Sequence, residues 1–338
     1  TEALTCGNCG ATTPIPAREE PVEELDYASH LAGLADQEER FDVVSVACGS
    51  CGAISTLPPN AVSGACPFCG SPLVVKEGST RSLLKPRSLL PFSIDGKAAR
   101  QALDRWLGSL WFAPFGFKKA HKETDRLTGV YIPYWTFDAH TETDYTGERG
   151  DAYYTTETYT TEENGRTVTR TRQVRHIRWF PAAGRVAMDF DDLLVLASRS
   201  LPEHYTAALE PWDLAALAPF DEAFLAGFRA EAYQVTLEAG FAKARAAMEG
   251  PIAEAIRRDI GGDEQRIQAV DTQCSRTTFK HLLLPVWISA FRYGEKVFRC
   301  MINGRTGEVQ GERPYSWAKI LLLAAAVLAL VIFWVSRS

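Results

Sequence analysis

The chain has 338 residues, 46% of them apolar, and its 42 acidic against 36 basic side chains leave a formal net charge of −6. That balance excludes a general electrostatic grip on nucleic-acid phosphate, which needs an excess of Lys and Arg. Eight cysteines are present, mostly as close Cys-x-x-Cys pairs, a metal-binding pattern of compartments where thiols stay reduced and not a secreted disulfide framework.

The chain opens on the polar TEALTCGNCG, without the apolar run of a secretory signal. Residues 1–20 carry one knuckle, Cys6 and Cys9, which copies the later CGSCG almost letter for letter. It reads as half of a first zinc ribbon whose other half is expected upstream of Thr1, or else as free thiols on a disordered end. Residues 21–41 read as an acidic helical spacer with Leu25, Leu31 and Leu34 on a partial stripe. Residues 42–78 hold CGSCG and CPFCG, so Cys48, Cys51, Cys66 and Cys69 can present four thiolates tetrahedrally to one Zn²⁺. Gly52 and Gly70 follow each knuckle where a left-handed backbone is expected. Four protein ligands leave no open position for water, which makes the expected role structural. Cys274 and Cys300 stand alone in strand-like sequence and read as small buried hydrophobes.

Once the zinc-bearing and terminal segments are set aside, about 235 residues remain, enough for one large domain or two small ones. Residues 79–315 form this expected α+β body. A boundary rich in Ser, Arg, Lys and Pro precedes a helix with Ala99, Leu103, Trp106, Leu107 and Leu110 on one face. The aromatic turn WFAPFGF follows beside Lys118 and Lys119; it reads as core, with a lipid-facing or partner-facing role as the alternative. VYIPYWTFDAHTETDY reads as a strand, and Asn164-Gly165 as a hairpin turn. A two-residue turn there would set Glu163 opposite Arg166, Tyr159 opposite Arg170, Glu157 opposite Arg172 and Tyr154 opposite Arg175, in a Thr-rich hairpin projecting into water. A helical section is expected over 209–233, with Pro211 and Pro219 at helix starts, then a long amphipathic helix ending at Gly261-Gly262. Strands return in QRIQAVDTQ, TFKHLLLPVWISAFRY and KVFRCMING, closing in a hairpin over INGRTGEVQGERP. YIPYWTFDAH and LLPVWISAFR share Pro-x-Trp, which suggests an internal duplication; Pro opening edge strands and Trp filling core is the plainer account.

Residues 316–338 read as a membrane anchor, because Ile320 to Val335 holds no charge and a helix of that length from Trp317 spans a bilayer core. Trp317 and Trp334 suit the two water interfaces, and Lys319 can snorkel. Arg313 and Lys319 before the span against Arg337 after it place the bulk of the chain in the cytoplasm, as a single-pass protein of the inner membrane.

Catalytic motifs are absent from the sequence: it holds no Walker A loop, Gly-x-Ser-x-Gly, His-Glu-x-x-His or Gly-x-Gly-x-x-Gly. His140 with Asp138 and Asp144, or Asp189, Asp191 and Asp192 as a cation site, are weaker than a satisfied histidine and a solvated acidic turn. No small-molecule substrate is evident, and no enzyme is expected.

The order of zinc knuckles, YIPYWTFDAH, LLVLASRSLP, LEPWDLAALAPF, LAGFRAEAY, TFKHLLLPVW, INGRTGEVQGERPYSWAKI and a terminal apolar helix resembles a bacterial family of membrane-tethered zinc-ribbon proteins. Its members are often labelled PriA-like or TFIIB-type zinc-finger proteins. The chain lacks the phosphate loop and motor of PriA helicases, so only the cysteine pattern is shared. The resemblance implies two N-terminal ribbons, of which Cys6 and Cys9 would be a surviving half. It also implies neighbours of the SPFH and PspA-like membrane-remodelling kinds. The expected function is a tail-anchored cytoplasmic adaptor that recruits such partners to the bilayer in envelope stress. A membrane-associated nucleic-acid binder, using its ribbons and the basic patch Lys76, Arg81, Lys85 and Arg87, is the alternative.

Overall fold

The computed structural model describes residues 3–5, 12–14, 24–33, 40–56, 63–74, 79–124, 127–163 and 166–337. The spacer's Leu34 and the Asn164-Gly165 turn lie outside them. Among the described residues of the expected spacer helix, Tyr27–Leu31 is helical, capped by Asp26, while Leu25 pairs as a strand with Phe279.

The body is one mostly antiparallel sheet. Its principal strands are β1 (Leu127–Glu163), β2 (Arg166–Leu196), β3 (Glu264–Tyr293) and β4 (Lys296–Asn303), in the order β2-β1-β3-β4. The longer helices among the described residues are α1 (Gly96–Ser109), α2 (Phe115–Thr124), α3 (Leu237–Ile260) and α4 (Trp317–Val335). Mixed α and β elements were expected, but β1 runs unbroken for 37 residues where two strands were read. A register shift between Phe137 and Ala139 lets it bend without ending.

Alternation along β1 explains the layers, since successive side chains leave opposite faces of a strand. Trp135, Phe137, Ala139 and Tyr145 point to α3, whose Ala244, Met248, Ile252, Ile256 and Ile260 are buried against them. Val130, Ile132 and Tyr134 point to the other face, where they meet the cysteine unit. Near the other end of β3, Phe291 and Trp287 pack with Leu103, Leu107 and Phe117 of α1 and α2. Thr236 caps α3 and Pro251 lies within it without breaking it.

The two Pro-x-Trp segments lie side by side: Tyr131 pairs with Pro285, and Pro133 with Leu283. Neither proline opens an edge strand, since both β1 and β3 are paired on each side around these positions. Their surroundings match as well. Val130 and Tyr131 pair in parallel with Arg229 and Ala230, and Leu282 and Leu283 pair in parallel with Ser88 and Leu89. Each of these short partners leads into a capped helix, through Asp95 to α1 and through Thr236 to α3. The Trp135 indole donates to Val235 O at 3.0 Å, and the Trp287 indole donates to Ile94 O at 3.2 Å. α1 therefore packs mainly with residues of β3 and β4, and α3 mainly with residues of β1 and β2.

Residues 209–233 are not the expected helix. They hold 3-10 turns at Leu214–Ala216 and Glu222–Leu225 and the short strands Ala218–Pro219 and Arg229–Ala230. Trp212 fills the core around the cysteines, whereas Phe220 and Phe228 pack around Phe92 and Tyr131. One helix face cannot reach both clusters. The MDFDD segment is likewise strand and not an acidic turn: Asp192 adopts φ 50° in β2 and pairs with the buried Lys280 at 2.7 Å. Burial pulls the Lys280 ammonium down, but Asp192 and Glu24 outweigh it and hold its pKa above the ordinary value.

The expected hairpin register is observed: Glu163 opposite Arg166, Tyr159 opposite Arg170, Glu157 opposite Arg172 and Tyr154 opposite Arg175. Pairing of β1 with β3 stops at Gly150 and Glu264. Residues 151–163 and 166–178 therefore continue as a two-stranded arm about 40 Å long. One face carries Tyr153, Glu157 and Tyr159 with Arg166, Arg170 and Arg172; the other carries Thr156, Thr158 and Thr160 with Thr167, Thr169 and Thr171. Backbone amides of 151–163 should exchange with deuterium much faster than those of 130–145, which lie between two strands under a helix. Peptide-resolved exchange on the full chain checks this, and equal protection would mean that something else covers the arm.

Candidate metal centre

Two tight turns build the site. Ala47 pairs with Ile54 around the first knuckle and Ala65 with Pro72 around the second. In each, the first cysteine's N–H donates to the carbonyl five residues on, Ala53 or Ser71, and its carbonyl accepts from Gly52 or Gly70. Both glycines have φ +73°, where a Cβ is costly, which accounts for Gly after the second cysteine.

The turns converge so that the sulfurs of Cys48, Cys51, Cys66 and Cys69 all lie within 4.8 Å of one another. Cys48 and Cys69 are 3.6 Å apart and Cys51 and Cys66 3.7 Å. Four thiols brought together in this way could hold a metal ion. Burial pushes the Cys51 thiol up to about 11 and Cys66 higher still. For Cys69 burial also raises, but hydrogen bonds from Ser71 and from neighbouring thiols prevail and bring it to about 7. A buried set whose thiols resist ionising together is what a bound cation relieves.

The unit is set into the sheet. Phe68, between the second pair of cysteines, is fully buried in one cluster with Cys48, Cys66, Ile132, Leu284 and Met301. Arg299 of β4 donates through Nε to Phe68 O at 2.9 Å, and Arg229 donates to Ala65 O at 2.7 Å. The strand Arg40–Ala47 also pairs with Ser79–Leu84, which closes the small sheet of the cysteine unit. Sequence reasoning missed Arg229 and Arg299, whose partners lie 164 and 231 residues away. The Phe of CPFCG was the available hint, since an aromatic ring in a solvated turn has nothing to gain.

Beside the unit, Ser55 bridges to Glu231 across the strands. Glu231 is 3% exposed; its carboxylate accepts from Ser200 and, at 2.7 Å, from the Gln234 amide. Burial pushes its pKa up to about 7, against those hydrogen bonds.

Cys6 and Cys9 lie outside the described residues. The segments framing them, Ala3–Thr5 and Thr12–Pro14, pair Thr5 with Thr12, the same seven-residue offset that frames both complete knuckles. Cys300 is buried, as expected, and Cys274 half-buried. His140 does not meet Asp144: its Nδ1 is 2.6 Å from Asp189, while Asp144 pairs with Arg185 at 2.7 Å. Trp317 and Trp334 stand exposed at the two ends of α4. Lys319 does not reach outward alone; its ammonium donates to the carbonyls of Trp111 and Ala113. α4 is long and apolar enough to cross a membrane, with mean hydropathy 2.6.

No family model matches this chain, and no solved structure matches it. The chain is 28% identical over 238 residues to the uncharacterized protein YdjG of Bacillus subtilis (strain 168). That match takes in 70% of this chain and 66%, just under two thirds, of the relative.

Cys66→Ser should abolish metal binding by this set and lower the melting temperature, because Cys66 is both a candidate ligand and part of the core cluster; metal analysis and calorimetry on the purified chain check both. Glu231 predicts a pH slope. Its folded pKa stands above its unfolded one, so its contribution is full below about pH 4.5 and is lost as pH rises through about 7, a change of about 3 kcal/mol. Glu231→Gln should flatten that part of the stability curve; an unchanged slope would assign it to other groups.

Proposed function

We propose that this chain is a tail-anchored adaptor: α4 holds it in the inner membrane, the body lies in the cytoplasm, and soluble partners dock on the body. The observation that carries this reading is α4 itself, an uncharged helical stretch from Ile320 to Val335, exposed on all sides and attached to a well-packed body. Lipid is the solvent that such a surface suits. At about 1.5 Å per residue, its 19 residues reach about 28 Å, close to the core of a bilayer. Confining the body to a surface raises the effective concentration of whatever it binds, so modest affinity suffices.

In this reading the four-cysteine unit is a zinc ribbon. A tetrahedron with Zn–S of about 2.3 Å has edges of about 3.8 Å, close to the sulfur spacings of Cys48, Cys51, Cys66 and Cys69. Zinc there is a cross-link; it holds Phe68 and the knuckle backbones against the sheet and carries no reaction. The matched strand, cap and indole contacts of the two halves support an internal duplication with exchanged helices. The whole-chain resemblance to membrane-tethered zinc-ribbon proteins supports SPFH or PspA-like proteins as the partners. A nucleic-acid role has one observation in its favour, the arm face carrying Arg166, Arg170 and Arg172 beside Tyr153 and Tyr159. It is weakened because Arg172 is paired with Glu157 at 3.0 Å.

The test is recovery of partners from native membranes solubilised in detergent, using the full chain, a version ending at Pro314, and a Cys48→Ser, Cys66→Ser version. Recovery of an SPFH or PspA-like protein, with membrane placement lost on removing α4, is expected. Nuclease-sensitive recovery of nucleic acid or replication proteins would replace the adaptor with the alternative. About one zinc per chain is expected by metal analysis, lost in the double variant.

A further inference from the structure

The turn between α1 and α2, residues 110–114, carries an exposed tryptophan for which the fold has no use. Trp111 is 75% exposed, while its neighbours Leu110 and Ala113 are buried against Phe117. An indole left in water forgoes the burial that makes it favourable, and an amphipathic ring of this kind is stabilised at a headgroup boundary.

The turn is tied to the first residues of α4. Lys319 donates to Trp111 O at 3.0 Å and to Ala113 O at 2.8 Å, and Ser316 N donates to Phe112 O at 2.7 Å. Lys319 lies in the first turn of α4, where the span enters the bilayer. A lysine there needs its ammonium solvated, by water or by carbonyls. Here carbonyls of the turn serve, so the turn sits at the depth of Lys319 whatever the helix tilt. Tyr315 and Trp317, 54% and 73% exposed, stand at the same junction. Lys118 and Arg313 add positive charge; Lys118 also bonds Gly108 O at 3.1 Å, which stiffens the turn, and Arg313 lies over Tyr315.

We infer that the α1–α2 turn is a second membrane contact, in which Trp111 inserts among the headgroups of an anionic bilayer and fixes the orientation of the body on it. This rests on the membrane reading of α4. Two contacts separated by 206 residues in sequence, joined by hydrogen bonds, make a rigid foot in place of a flexible tether.

The test uses the full chain labelled with 5-fluorotryptophan in nanodiscs of phosphatidylethanolamine and phosphatidylglycerol. The fluorine resonance of Trp111 is assigned by its loss in Trp111→Phe, and those of Trp317 and Trp334 likewise. A nitroxide on the upper acyl chain of a lipid should broaden Trp111 as strongly as Trp317, and a soluble gadolinium chelate should broaden both less than a Trp on the body. Trp317 and Trp334 broadened by the lipid nitroxide, with Trp111 broadened only by the chelate, would overturn the second contact and leave the anchor standing. No broadening of any of the three by lipid would overturn the anchor, and this inference with it.

Discussion

A strand between two others spends its N–H and C=O groups on both neighbours, so it fits only where all three agree in register. Residues 130–150 of β1 are in that position, and the rest of the molecule is arranged around their pairing with β3. One face presents Trp135, Phe137 and Tyr145 to α3; the other presents Val130, Ile132 and Tyr134 to the cysteine unit. A slip of one residue would exchange those faces and set aromatic rings where the knuckles dock. The register shift at Asp138 absorbs the bend where α3 begins to cover the sheet, and the Lys280, Asp192 and Glu24 network fills the space it opens.

The four-cysteine unit and the sheet support each other. Two Cys-x-x-Cys turns alone enclose too little apolar surface to fold, and such units depend on a metal or on neighbours. Here the neighbours are present, and the four thiols could hold a metal. Phe68 enters the body's core, and guanidinium groups from the far side of the chain reach knuckle carbonyls that the turns leave without backbone partners. The arginines are carried on β4 and on the short strand before α3, so this docking depends on parts of the chain far from the knuckles in sequence.

What could be read from the sequence was whatever depends on neighbours in the chain. The knuckles, the Asn164-Gly165 register, α1 and the long helix α3 all follow from residues a few positions apart. What could not be read depends on distant partners. Residues 209–233 have the apolar content of a helix, yet Trp212, Phe220 and Phe228 fill separate hollows. Asp189, Asp191 and Asp192 look like a solvated turn until Lys280 is seen beneath the last of them. Lys319 resembles any basic residue flanking a span, and its use by the α1–α2 turn leaves no mark on composition or periodicity.

The arrangement of the long strands also bears on how the chain is made. β1 and β2 are separated by only two residues in sequence and can zip together as they leave the ribosome, but β3 begins only at Glu264. Synthesis proceeds at about 5–20 residues per second, so the inner edge of β1 waits several seconds bare of its partner. An exposed edge is a template for foreign strands. Pro133 gives that edge no protection, since its carbonyl accepts from Ala197 N and its ring nitrogen faces the same, outer side; the edge is closed only when β3 arrives.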